Sequence, residues 1–412
     1  MEKWSNRIQI DILTIDRPHY LAATTMKDCQ IANARIPKRP GIWEIEIRNG
    51  KISAVADCRQ QTRGQRLPAT GLPILDMGGD WISLGGVDLQ INGALGLAFP
   101  DVQMGDFDKL TQIGDFLWEQ GVDGFLPTIV TTSIENIHRS LAVFAQFMAH
   151  QPSNTARMLG VHLEGPFLNP QKRGAHPSAY LLNLDLNFVT KIISKYAEIV
   201  KVITLAPELD PTGEVIAYLR SLGIIVSLGH SQANFGQAEQ AFISGASMVT
   251  HAFNAMPGLH HREPGLLGAA LTQSRVQCGF IADGQHVHPA MLKILMRAGR
   301  YGEGLFLVSD ALSPLGLPDG KYPWDDREIE VIDGTARLPD GTLSGTTRSL
   351  LVGVQNLVKW DICDVDNAID LATIAPRRAI GLSDRYLGQS ANLLRWNYDR
   401  DRGLNWNRVC VD

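Results

Sequence analysis

Gly160-Val161-His162-Leu163-Glu164-Gly165-Pro166-Phe167 joins an apolar run to a Gly-Pro turn, with a carboxylate at the break and an imidazole two residues before it. A buried strand that ends in an unpaired carboxylate costs several kcal/mol unless a metal or hydrogen-bond partners compensate. The arrangement recurs in Ser227-Leu228-Gly229-His230-Ser231 and in Met248-Val249-Thr250-His251, each of which leads an apolar strand into a histidine. Working outward, eight strand-like runs end near Leu89, Thr128, Leu163, Leu205, Leu228, Thr250, Ile281 and Val308. Helix-period segments separate most of them. In 107–120, Phe107, Leu110, Ile113 and Leu117 share one face, and segments 133–150, 211–222 and 288–299 read the same way. Alternating β and α units between residues 84 and 375 predict an α/β fold of the (β/α)8 TIM-like barrel class.

The flanks read differently. Trp43 to Asp57 alternates on each side of Asn49-Gly50, the pair that a type I′ hairpin turn prefers. Near the other end, 391–397 and 404–412 read as two more strands. The expectation is a small β-sandwich domain built from residues 1–83 and 376–412, with the barrel, 84–375, inserted into it. Between the eighth strand and its helix, Ser313 to Arg348 carries Asp333-Gly334 and Asp340-Gly341 turn signals, which predict a β-hairpin above the barrel mouth. With 412 residues, 44% hydrophobic and 20% charged, the composition is that of a globular protein. A net charge of -5 without Lys or Arg runs argues against nucleic acid, and a small anionic substrate would need a dedicated local contact. Cys29, Cys58, Cys278, Cys363 and Cys410 form no CxxC pair and read as free thiols. Met1 to Asp16 has no signal-peptide core and no run of 18 apolar residues occurs, so a cytoplasmic protein without a membrane partner is expected.

Barrel enzymes place their sites at the C-terminal ends of the strands. In strand order the candidates are Asp88, Gln90 and Asn92, then Glu164, Glu208, His230, His251, Asp283 with His286, and Asp310. Eight of the 11 histidines fall between His162 and His288. Glu164, His230 and His251 on three strands leave a tetrahedral ion one open position, as a catalytic metal requires. His162 shares a strand face with Glu164 and serves either as a ligand or as its support. His138 and His150 lie on an outer helix, and His260 and His288 read as structural. Asp310 either caps a turn or, beside a metal, acts as general base. His286 is placed to donate to a carbonyl oxygen. Arg262 either forks onto an anion or pairs with Glu263. No Walker or GxGxxG loop is present, which argues against a nucleotide.

The ordered motifs HLEGPF, LAPE, SLGHS, THAFNAM, REPG, ADGQH and LVSDA resemble the N-acetylglucosamine-6-phosphate deacetylase family of the amidohydrolase superfamily, and the resemblance covers roughly residues 80 to 385. The resemblance implies a metal-bearing barrel with a β-sandwich from both termini. It also implies one divalent ion, zinc ahead of iron, manganese or cobalt, on Glu164, His230 and His251. Asp310 would be the base and later protonate the amine, and His286 would polarise the acetamide. Ala175 and His176 would meet the sugar, and Leu343, Ser344, Gly345 and Thr346 would close over it. Asn254, Ala255 and Arg262 would form the phosphate end, with Arg262 reaching the neighbouring active site of a homodimer. The substrate implied is a phosphorylated amino sugar, N-acetylglucosamine 6-phosphate. Its galactosamine epimer, or a non-catalytic barrel scaffold, are the alternatives.

The chain departs from the pattern at Gln90-Ile91-Asn92, where many amidohydrolases carry His-x-His for a second metal. Amides are poor ligands beside imidazole, so Gln90 and Asn92 mark a vestigial or supporting position and one ion is favoured. Leu84-Gly85-Gly86 replaces a usual proline and would loosen that loop, while Pro177-Ser178-Ala179 and Ala252 bear on substrate fit.

Overall fold

A computed structural model describes residues 28–58 and 71–409. Met1 to Asp16, Cys410 and the end of the last predicted strand lie outside the described residues. Eight parallel barrel strands run Gly86–Ile91, Val122–Val130, Val161–Glu164, Val200–Leu205, Ile225–Leu228, Met248–Val249, Gln277–Phe280 and Leu305–Leu307, each beside the next. The ring closes where Ile91 bridges Ala311. Asp310 N donates to Gln90 O at 2.9 Å and Asn92 N to Ala311 O at 2.7 Å, so closure itself joins the first strand to the segment just past the eighth. This is the (β/α)8 barrel that the alternation predicts.

Side chains alternate across a strand, so each barrel strand feeds two cores. Val87, Leu89, Leu126, Val202, Met248, Ile281 and Phe306 fill the interior. Leu110, Ile113 and Leu117 of helix Phe107–Glu119 pack on the outside with Phe125 and Ile129. Helix starts follow the local chemistry. Ser133 accepts from Asn136 N at the head of Ile134–His150, and Asn234 and Gln237 form a reciprocal capping box for Phe235–Ser244.

A second, seven-stranded sheet takes strands from both ends of the described chain: Leu393–Asp399 pairs antiparallel with Trp81–Leu84 and with Gly403–Val409. Asn49 and Gly50 turn between Arg39–Arg48 and Lys51–Asp57 with φ 51° and 68°, the left-handed pair that a type I′ turn needs. The insertion is larger than one hairpin. It is a four-stranded antiparallel sheet of Gly320–Trp324, Arg327–Ile332, Thr335–Arg337 and Leu343–Thr346, bridged to the barrel mouth through Ala311 and Thr346.

The Leu84-Gly85-Gly86 segment corrects its sequence reading. A Cβ on Gly85 would collide with the Asp123 carboxylate. That carboxylate accepts from Gly85 N at 2.8 Å, Arg377 Nη2 at 3.1 Å and Arg408 Nη1 at 3.0 Å. The glycine is therefore a close-packed joint between the barrel and the strand from the C-terminal end, not a loosened loop. Among the described residues, no helix is long and apolar enough to cross a membrane.

Candidate active site

Three site residues leave their strands with positive φ: His230 at 48°, His251 at 28° and Asp310 at 49°. Left-handed backbone costs a non-glycine residue about 1–2 kcal/mol, so tertiary packing must hold these three side chains at the mouth. They line a cavity of about 270 Å³ together with Glu164, His176, His286, Asn92, Asn254, Ala255, Leu343 and Ser344.

Glu164 Oε1 and the Nε2 atoms of His230 and His251 form a triangle with sides of 3.0, 3.0 and 3.3 Å. Ligand atoms at about 2.0–2.1 Å around a tetrahedral ion stand about 3.3–3.4 Å apart, so the triangle matches one face of such a shell. His230 Nδ1 donates to Lys172 O at 2.9 Å, which leaves the Nε2 lone pair of the neutral ring facing the triangle. A looser group of Glu164, His176 and His230 also brings three ligand atoms within 4.8 Å of one another. The tautomers separate the two sets. Thr131 N donates to His176 Nδ1 at 3.3 Å, so neutral His176 carries its proton on Nε2 and presents a donor. Burial pushes the His176 imidazole down to about 3, which keeps it neutral. The donor set of carboxylate and imidazole fits a divalent ion.

Burial pushes the Glu164 carboxyl up, but its interactions with the His230 and His251 imidazoles outweigh that and hold the group well below its ordinary value. The opposite happens at Asp310, which burial first and the Glu164 charge second push up to about 6. One carboxylate is thus held as an anion and the other is poised to exchange a proton near neutrality. Gln90 Nε2 donates to Glu164 Oε1 at 2.9 Å and to Asp310 Oδ1 at 3.2 Å, and Asn92 Nδ2 donates to Asp310 Oδ1 at 2.7 Å. Both amides turn hydrogens toward the carboxylates.

Other predicted residues lie apart from the cavity. His162 sits beneath it, 2.8 Å from Thr204 Oγ1 and 3.3 Å from Thr128 Oγ1, and burial lowers its imidazole to about 4. Gly345 and Thr346 do not line the cavity: they are the buried half of strand Leu343–Thr346, where Thr346 Oγ1 donates to Ser309 O at 2.8 Å. Glu208 Oε1 accepts from Asn169 Nδ2 and Gln232 N, and Oε2 from Ser231 Oγ, so it braces the loops that carry Glu164 and His230. Arg262 is exposed and outside the cavity, and Glu263 Oε1 instead accepts from Phe235 N at 2.8 Å and Gly265 N at 3.1 Å. His288 caps helix Pro289–Ala298 through Ala290 N. Ala175 lines the cavity, and its carbonyl accepts from Arg327 Nη2 at 2.8 Å. Sequence reasoning missed Trp324, a cavity wall at the end of the first inserted strand. Its only signal was an aromatic residue within the predicted Ser313 to Arg348 insertion.

Asp88 is 1% exposed, and burial pushes its carboxyl up to about 7 against hydrogen bonds from Ser309 N and Gln90 N. Folding therefore takes up a proton. Stability is fully present below the unfolded value near 3.9 and declines as pH rises through about 7, by about 4 kcal/mol in total. Asp88→Asn removes that decline, so its melting temperature at pH 8 exceeds the wild-type value while the two converge near pH 4. Equal melting temperatures at pH 8 would contradict the assignment.

No protein-family model matches the chain. An N-acetylglucosamine-6-phosphate deacetylase of Bos taurus is 39% identical over 320 residues, spanning 75% of this chain and 77% of that protein. The chain belongs to the N-acetylglucosamine-6-phosphate deacetylase family. A relative named N-acetylgalactosamine-6-phosphate deacetylase, from Escherichia coli O157:H7, is 35% identical over 73% of this chain and 78% of its own length. The solved structure of a variant Mycobacterium smegmatis deacetylase in complex with N-acetyl-D-glucosamine-6-phosphate has a TM-score of 0.80 at 25% identity, covering 93% of this chain and 99% of that one. In this member of the N-acetylglucosamine-6-phosphate deacetylase family, the Glu164–His230–His251 triangle and Asp310 line the same cavity.

Proposed function

We propose that the chain hydrolyses the acetamide of N-acetyl-D-glucosamine 6-phosphate, giving acetate and D-glucosamine 6-phosphate. The observation that carries this is the 3.0–3.3 Å triangle of Glu164, His230 and His251 next to a buried Asp310, in a member of a deacetylase family. Those three residues would hold one divalent ion, zinc by preference for this donor set. When bound, such an ion acidifies water and polarises a carbonyl.

The chain's own residues supply the rest. Asp310, held by the amides of Gln90 and Asn92, takes a proton from the attacking water and gives it to the departing nitrogen. His286 donates to the carbonyl oxygen as it gains charge. His176 turns its Nε2–H to a sugar hydroxyl, with Ala175, Leu343, Ser344 and Trp324 as walls. Among the described residues no lysine or arginine lines the cavity, so the phosphate needs a cation from elsewhere. Arg262, exposed beyond Asn254 and Ala255, supplies it to the neighbouring subunit of a homodimer. Thiols at Cys29, Cys278 and Cys363 that form no disulfide among the described residues support a cytoplasmic setting.

The test measures acetate release from N-acetylglucosamine 6-phosphate, its 4-epimer and unphosphorylated N-acetylglucosamine. The proposal expects the first to have the highest kcat/KM and the unphosphorylated sugar to lose at least about 100-fold, the scale of one charged contact. Preference for the epimer, which the E. coli O157:H7 relative makes the second reading, would reassign the substrate. Release from none of the three would reject the activity.

A further inference from the structure

Asp283, on the loop after the seventh barrel strand, has no part in the chemistry above. Its Oδ1 accepts from Gln285 N and His286 N, both at 2.9 Å, and its Oδ2 stands 2.7 Å from His286 Nδ1. The two side chains are only 5% and 6% exposed. Burial pushes the Asp283 carboxyl up, and the hydrogen bond and charge of His286 outweigh it, so the group is ionised. An ionised carboxylate only accepts, so the proton between the two side chains sits on His286 Nδ1. The consequence falls on the other nitrogen. With Nδ1 protonated, a neutral ring offers the cavity a lone pair at Nε2, which repels an oxyanion. Only the imidazolium offers an N–H there.

We infer that Asp283 holds His286 as an imidazolium during turnover, so that a charged donor meets the acetamide oxygen as it becomes an oxyanion. The inference rests on the deacetylase reading and deepens it. Asp283 acts through His286 and is a positioning residue. The charged and titratable groups around the same cavity are Glu164, His176, His230, His251, Asp310 and Asp325. Asp310, just past the eighth strand, interacts with His286 as an opposite charge. Behind the loop, Asn356 Nδ2 donates to Ala282 O at 2.8 Å, and the Trp360 ring lies against Gly284.

Asp283→Asn separates charge from hydrogen bonding. The side-chain oxygen keeps the two backbone N–H groups, so the amide nitrogen must face Nδ1. That drives the ring to its other neutral tautomer, with the proton on Nε2. The donor survives and the charge is lost. We expect kcat for N-acetylglucosamine 6-phosphate to fall roughly 10- to 100-fold with KM changed less than about threefold. The pH dependence of kcat should change shape relative to wild type. On a His286→Gln background the same change should add less than about twofold, because Asp283 then has nothing to act through. Nitrogen-15 NMR of the metal-free protein should show His286 deprotonating at lower pH in Asp283→Asn than in wild type. Full additivity with His286→Gln, or an unchanged His286 titration, would overturn the inference. If the wild type releases no acetate, the deacetylase reading fails, while the NMR titration still decides the state of the pair.

Discussion

Asp310→Asn lowers kcat by roughly 10³- to 10⁴-fold, near the upper range for losing a general acid–base, while bound metal stays at the wild-type level. The carboxyl is 8% exposed and burial raises it to about 6, close to the pH at which an acceptor of one proton is also a competent donor. Asn92 Nδ2 at 2.7 Å and Gln90 Nε2 at 3.2 Å aim it. An amide has the same shape and cannot take a proton from water, so the substitution removes the chemistry and little else. Because Asp310 is not a corner of the ligand triangle, metal analysis of the variant should match the parent. Near-normal turnover would show that another group is the base. Parallel loss of metal and rate would make Asp310 a ligand.

Asp123→Ala is expected to cost about 3–5 kcal/mol in folding stability, the range for leaving buried charges uncompensated. Arg377 and Arg408 both point at this carboxylate, with side chains 9% and 10% exposed. Burial lowers the Arg377 guanidinium from its ordinary value, and the Asp123 charge is what opposes that. Arg377 Nη1 also donates to Gly85 O at 2.6 Å, and Arg408 lies over the Trp118 ring at 3.5 Å to its centroid. Removing the shared anion therefore unsettles the barrel wall, the last helix and the final strand together. Chemical denaturation reads the change, and a loss below about 1 kcal/mol would place Asp123 with ordinary surface pairs.

The barrel was legible because parallel strands covered on both faces leave near-continuous apolar runs. Leu205 and Leu228 end both the predicted runs and the observed strands. Thr250 does not, because the backbone turns left-handed at His251 and Met248–Val249 is all that pairs. The chemical groups were legible for the same reason: each polar residue interrupts an apolar run at a strand end. What sequence could not carry is long-range pairing and orientation. The Asp123 partners lie 254 and 285 residues away. Nothing in a one-dimensional pattern says that the Gln90 and Asn92 amides turn donors toward Asp310, or that Asp283 reaches back to His286. Arg262 is the converse case. Its motif was legible, yet within one chain it stays exposed and outside the cavity.

The most direct test is to titrate zinc into chelator-treated protein while following acetate release from N-acetylglucosamine 6-phosphate. One site built from Glu164, His230 and His251, with amides at Gln90 and Asn92, predicts no release from the chelated protein and a rate that saturates at one ion per subunit. Undiminished release after chelation, or a rate that rises until two ions are bound, would contradict it.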